Sequence, residues 1–125
     1  MFRLNDKTAV ITGGGSGIGK AIAELFARQG AHVHVVDRND AACAQVVREI
    51  RAEGGQVTAH ACDVARQADV EALMAAIGPI GILVNNAGIA HIGKADTTSE
   101  EDFDRVMNVN VKGVYNCLHA AIPQL

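Results

Sequence analysis

The chain has only three cysteines, Cys43, Cys62 and Cys117, and no C-x-x-C spacing. So sparse and odd a set supplies neither a disulfide framework nor a zinc knuckle, and a reducing cytoplasm is the expected compartment. Basic runs are also missing, and the formal net charge is -3. Neither nucleic acid nor an anionic membrane surface is therefore the expected partner. No apolar stretch approaches the roughly 20 residues that cross a bilayer. The opening segment Met1-Phe2-Arg3-Leu4-Asn5-Asp6-Lys7 lacks the apolar region of a signal peptide. Internal repeats, low-complexity tracts and linkers are absent as well. What remains is an ordinary globular balance, 49% hydrophobic and 20% charged over 125 residues, enough for one domain with an apolar core.

Strand and helix signals alternate along the whole chain. Residues 7–12 (KTAVIT) form a short β-branched run that stops at glycines, which predicts a buried strand. Ile18, Ile22, Leu25 and Phe26 then recur on one helical face, and Gly30 stands where a helix stop belongs. A second strand is expected over 32–37, followed by a helix with Cys43, Val46, Val47 and Ile50 inward and Gly54-Gly55 at its end. A third strand over 56–62 precedes a helix whose apolar face carries Val70, Leu73, Met74 and Ile77. The fourth strand covers 80–85. After a polar loop, Thr98-Ser99-Glu100-Glu101 opens a last helix running towards Pro123, with a hydroxyl cap and acidic residues in its first turn. Such alternation predicts an α/β fold: a doubly wound parallel sheet with helices on both faces and right-handed crossovers.

The strongest local signal is Thr12-Gly13-Gly14-Gly15-Ser16-Gly17-Ile18-Gly19, between the first strand and the first helix. A helix N-terminus offers free N–H groups and the positive dipole end, and glycines let a backbone approach a ligand closely. A phosphate is the matching ligand, and Ser16 can add a hydroxyl donor. The plain alternative is a glycine-rich turn with no ligand. The strict fingerprint G-x-G-x-x-G fails, since its last position falls on Ile18 or Lys20. The P-loop pattern matches at Gly14, Gly19 and Lys20, but Ala21 stands where the magnesium-holding hydroxyl belongs. The pattern T-G-x-x-x-G-x-G fits in full at Thr12, Gly13, Gly17 and Gly19.

That loop resembles the cofactor loop of the short-chain dehydrogenases/reductases, and three further stretches resemble the same family. Asp37 ends the second strand 20 residues after Gly17, where a dinucleotide fold places its ribose-binding carboxylate. Such a carboxylate favours NAD over NADP by repelling a 2′-phosphate, an effect that the adjacent Arg38 partly offsets; a surface or capping Asp is the alternative. Cys62-Asp63-Val64 ends the third strand. The resemblance implies that Asp63 meets the adenine amino group and that the Val64 backbone meets the ring. Asn85-Asn86-Ala87-Gly88 resembles the family's N-N-A-G, which implies that Asn86, Ala87 and Gly88 wall the cofactor cleft. Met107-Asn108-Val109-Asn110-Val111-Lys112-Gly113 resembles N-V-N-x-x-G, which makes Asn110 the catalytic Asn, holding a water linked to the catalytic Lys and distorting its helix. Phe103, Met107, Asn110 and Val114 are spaced so that Asn110 falls on an apolar face. An Asn satisfied by nearby backbone is the alternative.

The resemblance spans essentially the whole chain and implies a Rossmann-like three-layer α/β/α domain over residues 1–125, strand order 3-2-1-4, incomplete at its C-terminal side. It implies hydride transfer between NAD(H) and a secondary alcohol or ketone, in a protein that forms a homo-oligomer. The family's Ser and Tyr-x-x-x-Lys do not occur. The only tyrosine, Tyr115, is followed four residues on by His119 and reads as a packing residue. The alternatives are a dinucleotide-binding module without turnover and a P-loop nucleotide hydrolase. His32, His34, His60 and Cys62 fall on two neighbouring strands, but a parallel sheet buries both faces, so no metal site is expected. His91 reads as a solvated loop residue, and the acidic group Glu100, Glu101, Asp102 and Asp104 as a complement to a helix N-terminus.

Overall fold

The computed structural model describes residues 3–125. Met1 and Phe2, the start of the segment judged above for a signal peptide, lie outside the described residues. The chain alternates β1 (Thr8–Thr12), α1 (Gly17–Arg28), β2 (His32–Asp37), α2 (Asp40–Ala52), β3 (Gln56–Ala61), α3 (Gln67–Ile77) and β4 (Ile82–Val84). Then come α4 (Glu100–Met107), a π turn (Asn108–Lys112), α5 (Gly113–Ala121) and a closing 3-10 turn (Ile122–Gln124). The four strands are parallel and ordered β3-β2-β1-β4, as expected.

Alternation along the strands divides the core in two. Ile11, Val33 and Val35 face α1 and α2, where Ala23, Ala27, Val46 and Ile50 meet them. Val10 and Val36 face the other way, against Val70 and Met74 of α3 and Cys117 and Ala121 of α5. Central β1 is buried on both faces, which is why its sequence is a continuous apolar run. The α3 side of the β2–β3 pair departs from this. His34 Nδ1 lies 2.9 Å from His60 Nε2, and His32 Nε2 lies 3.0 Å from Thr58 Oγ1. Burial pushes the His34 imidazole down to about 4 from 6.5, with His32 and His60 adding to the effect. Burial likewise lowers the His60 pKa, with His32 adding to the effect.

Three expectations are corrected. In α1 the fully buried positions are Gly19, Ala23 and Ala27, with Ile22 and Phe26 partly covered. Ile18 is 74% exposed and Leu25 is also exposed. The helix lies close to the sheet on small residues, so the bulky ones flank that contact or point outwards. The last helix runs unbroken from Glu100 to Ala121, as expected, but it carries a π turn over Asn108–Lys112. The π turn inserts an extra residue into one turn, and a count of residues carried across it slips round the axis. Phe103 is 57% exposed and Met107 is exposed, both ahead of the π turn, while the buried face carries Val109, Gly113, Asn116, Cys117 and Ala121. Tyr115 does not pack into the core; it is exposed and stacks on His119, with ring centroids 5.7 Å apart.

Candidate functional site: a cleft at the carboxyl ends of the strands

A parallel sheet delivers every βα turn to the same edge, and here the four turns enclose a cleft of about 260 Å³. Gly13, Ser16, Asp37, Val64, Asn86, Ala87 and Gly88 line it, together with Val36, Arg38, Cys62, Ile89 and Val109. Of the expected residues, Gly17, Ile18 and Gly19 sit on the first turn of α1, beside this lining. Asp63 lies on a neighbouring groove that shares Arg38 and Val109 with the cleft. Asn110 does not line the cleft; it stands behind Ile89 and Gly88, where a Cβ on Gly88 would come within 3.3 Å of its Oδ1.

Short hydrogen bonds hold the turns together. Buried Thr12 accepts from the N–H groups of Asn86 and Ala87, each at 3.0 Å, and donates to the Val84 carbonyl at 3.3 Å. The Asn86 amide donates to the Gly13 carbonyl at 3.1 Å. Gly13 adopts φ +66, and a Cβ there would stand 2.9 Å from the Ala87 Cα, so a side chain has no room. The N–H groups of Gly13 and Gly14 both point at the Val36 carbonyl, and Gly15 donates to Asp37 Oδ2 at 3.0 Å. The other Asp37 oxygen accepts the Asn39 N–H at 3.0 Å. Asp37 thus ties the glycine turn to the end of β2 while each oxygen keeps a further lone pair.

The helix N-termini differ. Asn39 caps α2 and Ser99 caps α4, and both helices carry acidic residues in the first turn. At α1, Ser16 makes no side-chain cap bond and the first turn holds no acidic residue. Its first turn is thus left with neither a capping side chain nor an acidic residue of its own, the arrangement that fits a phosphate. Lys20, the residue a P-loop would aim at phosphate, instead bonds Glu49 of α2 at 2.9 Å. That contact, with Ala21 beside it, gives no P-loop arrangement.

On the far side, Asp63 Oδ1 accepts the Ala65 N–H at 3.0 Å, and Arg38 Nε stands 4.0 Å from Asp63 Oδ2. The Val64 carbonyl accepts from Asn116 Nδ2 at 2.9 Å. Burial raises the Cys62 thiol pKa, with Asp69 and Asp63 adding to it. His91 is exposed, 3.8 Å from Asp102. Asn116 went unnoticed in the sequence; its one signal there is a polar residue three positions after Gly113 on a helix that is otherwise apolar on that side.

Comparisons with known proteins agree with this architecture. The family model described as short chain dehydrogenase matches residues 7–125. An uncharacterized oxidoreductase of Thermotoga maritima is 42% identical over 126 residues, covering 99% of this chain and 50% of the relative. A short chain dehydrogenase/reductase from Burkholderia phymatum, solved in complex with NAD, superposes with a TM-score of 0.94 at 37% identity, covering 100% of this chain and 46% of that one. A metagenomic short-chain oxidoreductase in complex with NADP gives 0.93 at 35% identity, covering 97% of this chain and 57% of that one. The chain spans about half the length of the curated relatives it matches. With its sheet order, glycine loop and strand-end cleft in accord, the chain belongs to the short chain dehydrogenase family.

Proposed function

We propose that this chain is the dinucleotide-binding half of an oxidoreductase that interconverts a secondary alcohol and a ketone, with NAD(H) preferred and NADP less favoured. The cleft carries the reading: one pocket gathers the glycine turn, Asp37, Val64 and the Asn86-Ala87-Gly88 wall. The uncapped first turn at Gly17, Ile18 and Gly19, with the Ser16 hydroxyl, fits a pyrophosphate. The spare lone pairs of Asp37 fit ribose hydroxyls, and its charge opposes a 2′-phosphate. Asp63 and the Val64 backbone take the adenine edge. When bound, the nicotinamide supplies the hydride donor or acceptor.

Asn110 uses one N–H and one lone pair on Ile89, so its amide keeps one of each for a water in the proton relay. The Ser and Tyr-x-x-x-Lys of that relay belong to residues after Leu125 in the complete protein. Exposed Phe103, Met107, Val111, Tyr115, Leu118 and Ile122 form an apolar stripe along α4 and α5, which supports a homo-oligomer. Cys43, Cys62 and Cys117 are all free, in keeping with a cytoplasmic location. No helix among the described residues is long and apolar enough to cross a membrane.

The test is ligand-induced stabilisation of this chain by NAD, NADP and Mg-ATP. NAD should raise the melting temperature most and Mg-ATP not at all. Stabilisation by Mg-ATP alone would replace this reading with a nucleotide hydrolase.

A further inference from the structure

Asn116 has a relative exposure of 0%, and its amide is fully used. Nδ2 donates to the Val64 carbonyl at 2.9 Å, and Oδ1 accepts from Gln67 Nε2 at 3.2 Å. Helix α5 itself has no need of this residue, since Asn is a poor helix former and a buried amide is costly unless bonded. A leucine would suit the interior of the helix better. The amide therefore serves the main chain it meets, the turn that carries Asp63 and Val64 between β3 and α3.

That turn has its own local bonds. Asp63 Oδ1 takes the Ala65 N–H, and the Arg66 N–H bonds the Asp63 carbonyl at 3.0 Å. These set the shape of the turn but not its height beside the cleft. The height comes from α5. Asn116 holds the Val64 carbonyl, and Gly113 lets the helix come so close that a Cβ there would reach 2.7 Å from Val64 Cγ2. Gln67, at the start of α3, completes the bridge.

We propose that Asn116 is a positioning residue for purine selectivity: through the Val64 carbonyl it sets where Asp63 stands, and so how well the cleft tells a 6-amino purine from a 6-oxo purine. The proposal rests on the cofactor reading above, in which Asp63 meets the adenine amino group. A displaced turn would lose the amino-group contact yet leave the glycine loop and its phosphate contacts in place.

The experiment titrates the 125-residue chain with NAD and with nicotinamide hypoxanthine dinucleotide, whose purine accepts at the 6-position where adenine donates. The parent should favour NAD by about fivefold or more, as one hydrogen bond to a charged acceptor allows. In Asn116→Leu, NAD binding should weaken by about tenfold and the hypoxanthine analogue by less than about twofold, so the preference collapses. Gln67→Leu removes only the bond to Asn116 Oδ1 and should lower the preference by about two- to threefold. A merely structural role would weaken both dinucleotides alike. A folded Asn116→Leu that keeps the parent's preference, or loses both ligands equally, overturns the proposal. If that variant does not fold, an unchanged preference in Gln67→Leu overturns it. A parent that binds neither dinucleotide overturns the cofactor reading itself, and one that binds both equally removes Asp63 from the adenine site.

Discussion

Asn110 and Ile89 hold each other at two points: Asn110 Oδ1 accepts the Ile89 N–H and Asn110 Nδ2 donates to the Ile89 carbonyl, both at 2.8 Å. The pair joins the π turn to the strand-end loop that continues from Gly88. Thr12, two bonds away through Asn86 and Ala87, belongs to the same connected set. Removing the amide leaves two main-chain groups of Ile89 unpaired. Asn110→Leu should lower stability by about 1–3 kcal/mol, read as a lower urea midpoint. An unshifted midpoint would show that water replaces the amide at no cost.

The proposed function makes Asp37 the residue that sets cofactor choice. Asp37→Ala should weaken NAD by about 1.5–3 kcal/mol and narrow or reverse its advantage over NADP. The same substitution frees the N–H groups of Gly15 and Asn39; Asp37→Asn, whose single amide oxygen keeps one of these two bonds, separates the loss of charge from the loss of both loop contacts. Parallel titrations with NAD and NADP measure the effect. Equal NAD affinity in parent and Asp37→Ala would take Asp37 out of the site.

Gly17 and Gly19 should fail in different ways. Gly17 has φ +55, and a Cβ there would meet no protein atom within 4 Å. Gly17→Val should therefore fold with a backbone cost of about 1–2 kcal/mol and lose dinucleotide binding, because its side chain occupies the phosphate approach. At Gly19 a Cβ would run into the Gly13 carbonyl oxygen, so Gly19→Ala should damage the loop itself. Melting temperature and NAD titration of both variants separate the two. A folded Gly17→Val that binds NAD normally would show that phosphate does not sit at this turn.

The buried imidazole makes stability depend on pH. An unfolded His34 takes up its proton near pH 6.5, whereas the folded one does so only near 4. Between these values the unfolded chain binds more protons, so stability is full above pH 6.5 and falls as pH drops towards 4. The loss approaches about 2–3 kcal/mol, and His60 shifts in the same direction. Urea midpoints from pH 7 to 4.5 should fall in the parent and fall less in His34→Val. A flat parent curve would contradict the burial.

The 125-residue chain alone should show no dehydrogenase turnover. Hydride transfer at an alcohol carbon needs a matched proton transfer at its oxygen, and the Asn110 amide is no general base near neutral pH. β4 pairs only with β1 among the described residues, and the apolar stripe on α4 and α5 is exposed, so self-association is expected as well. NADH absorbance with a panel of secondary alcohols, alongside sedimentation, tests both. Turnover abolished by Tyr115→Phe would make Tyr115 the catalytic tyrosine.

Local order was largely legible. β2 spans the expected residues, and β1, β3 and β4 differ from expectation only at their ends. The residues lining the cleft were readable because βα turns of a parallel sheet share one edge, so motifs far apart in sequence share one address. Faces were harder to read. Ile18 and Leu25 fit a helical period, yet small residues form the contact with the sheet. Phe103 and Met107 fit one too, yet the buried face of that helix runs through Val109, Gly113 and Cys117.

What the sequence by itself determined is therefore what depends on neighbours along the chain: apolar runs, glycine positions with special φ, capping residues and the order of elements. The tertiary structure alone decided which side chains finish which turns. The amide of Asn116 meets Val64 52 residues away, Asn110 meets Ile89 21 away, and Thr12 meets Asn86 74 away. No periodicity carries such pairings, because they come from helix–sheet packing distances, and those follow from the volumes of side chains on opposite sides of the core.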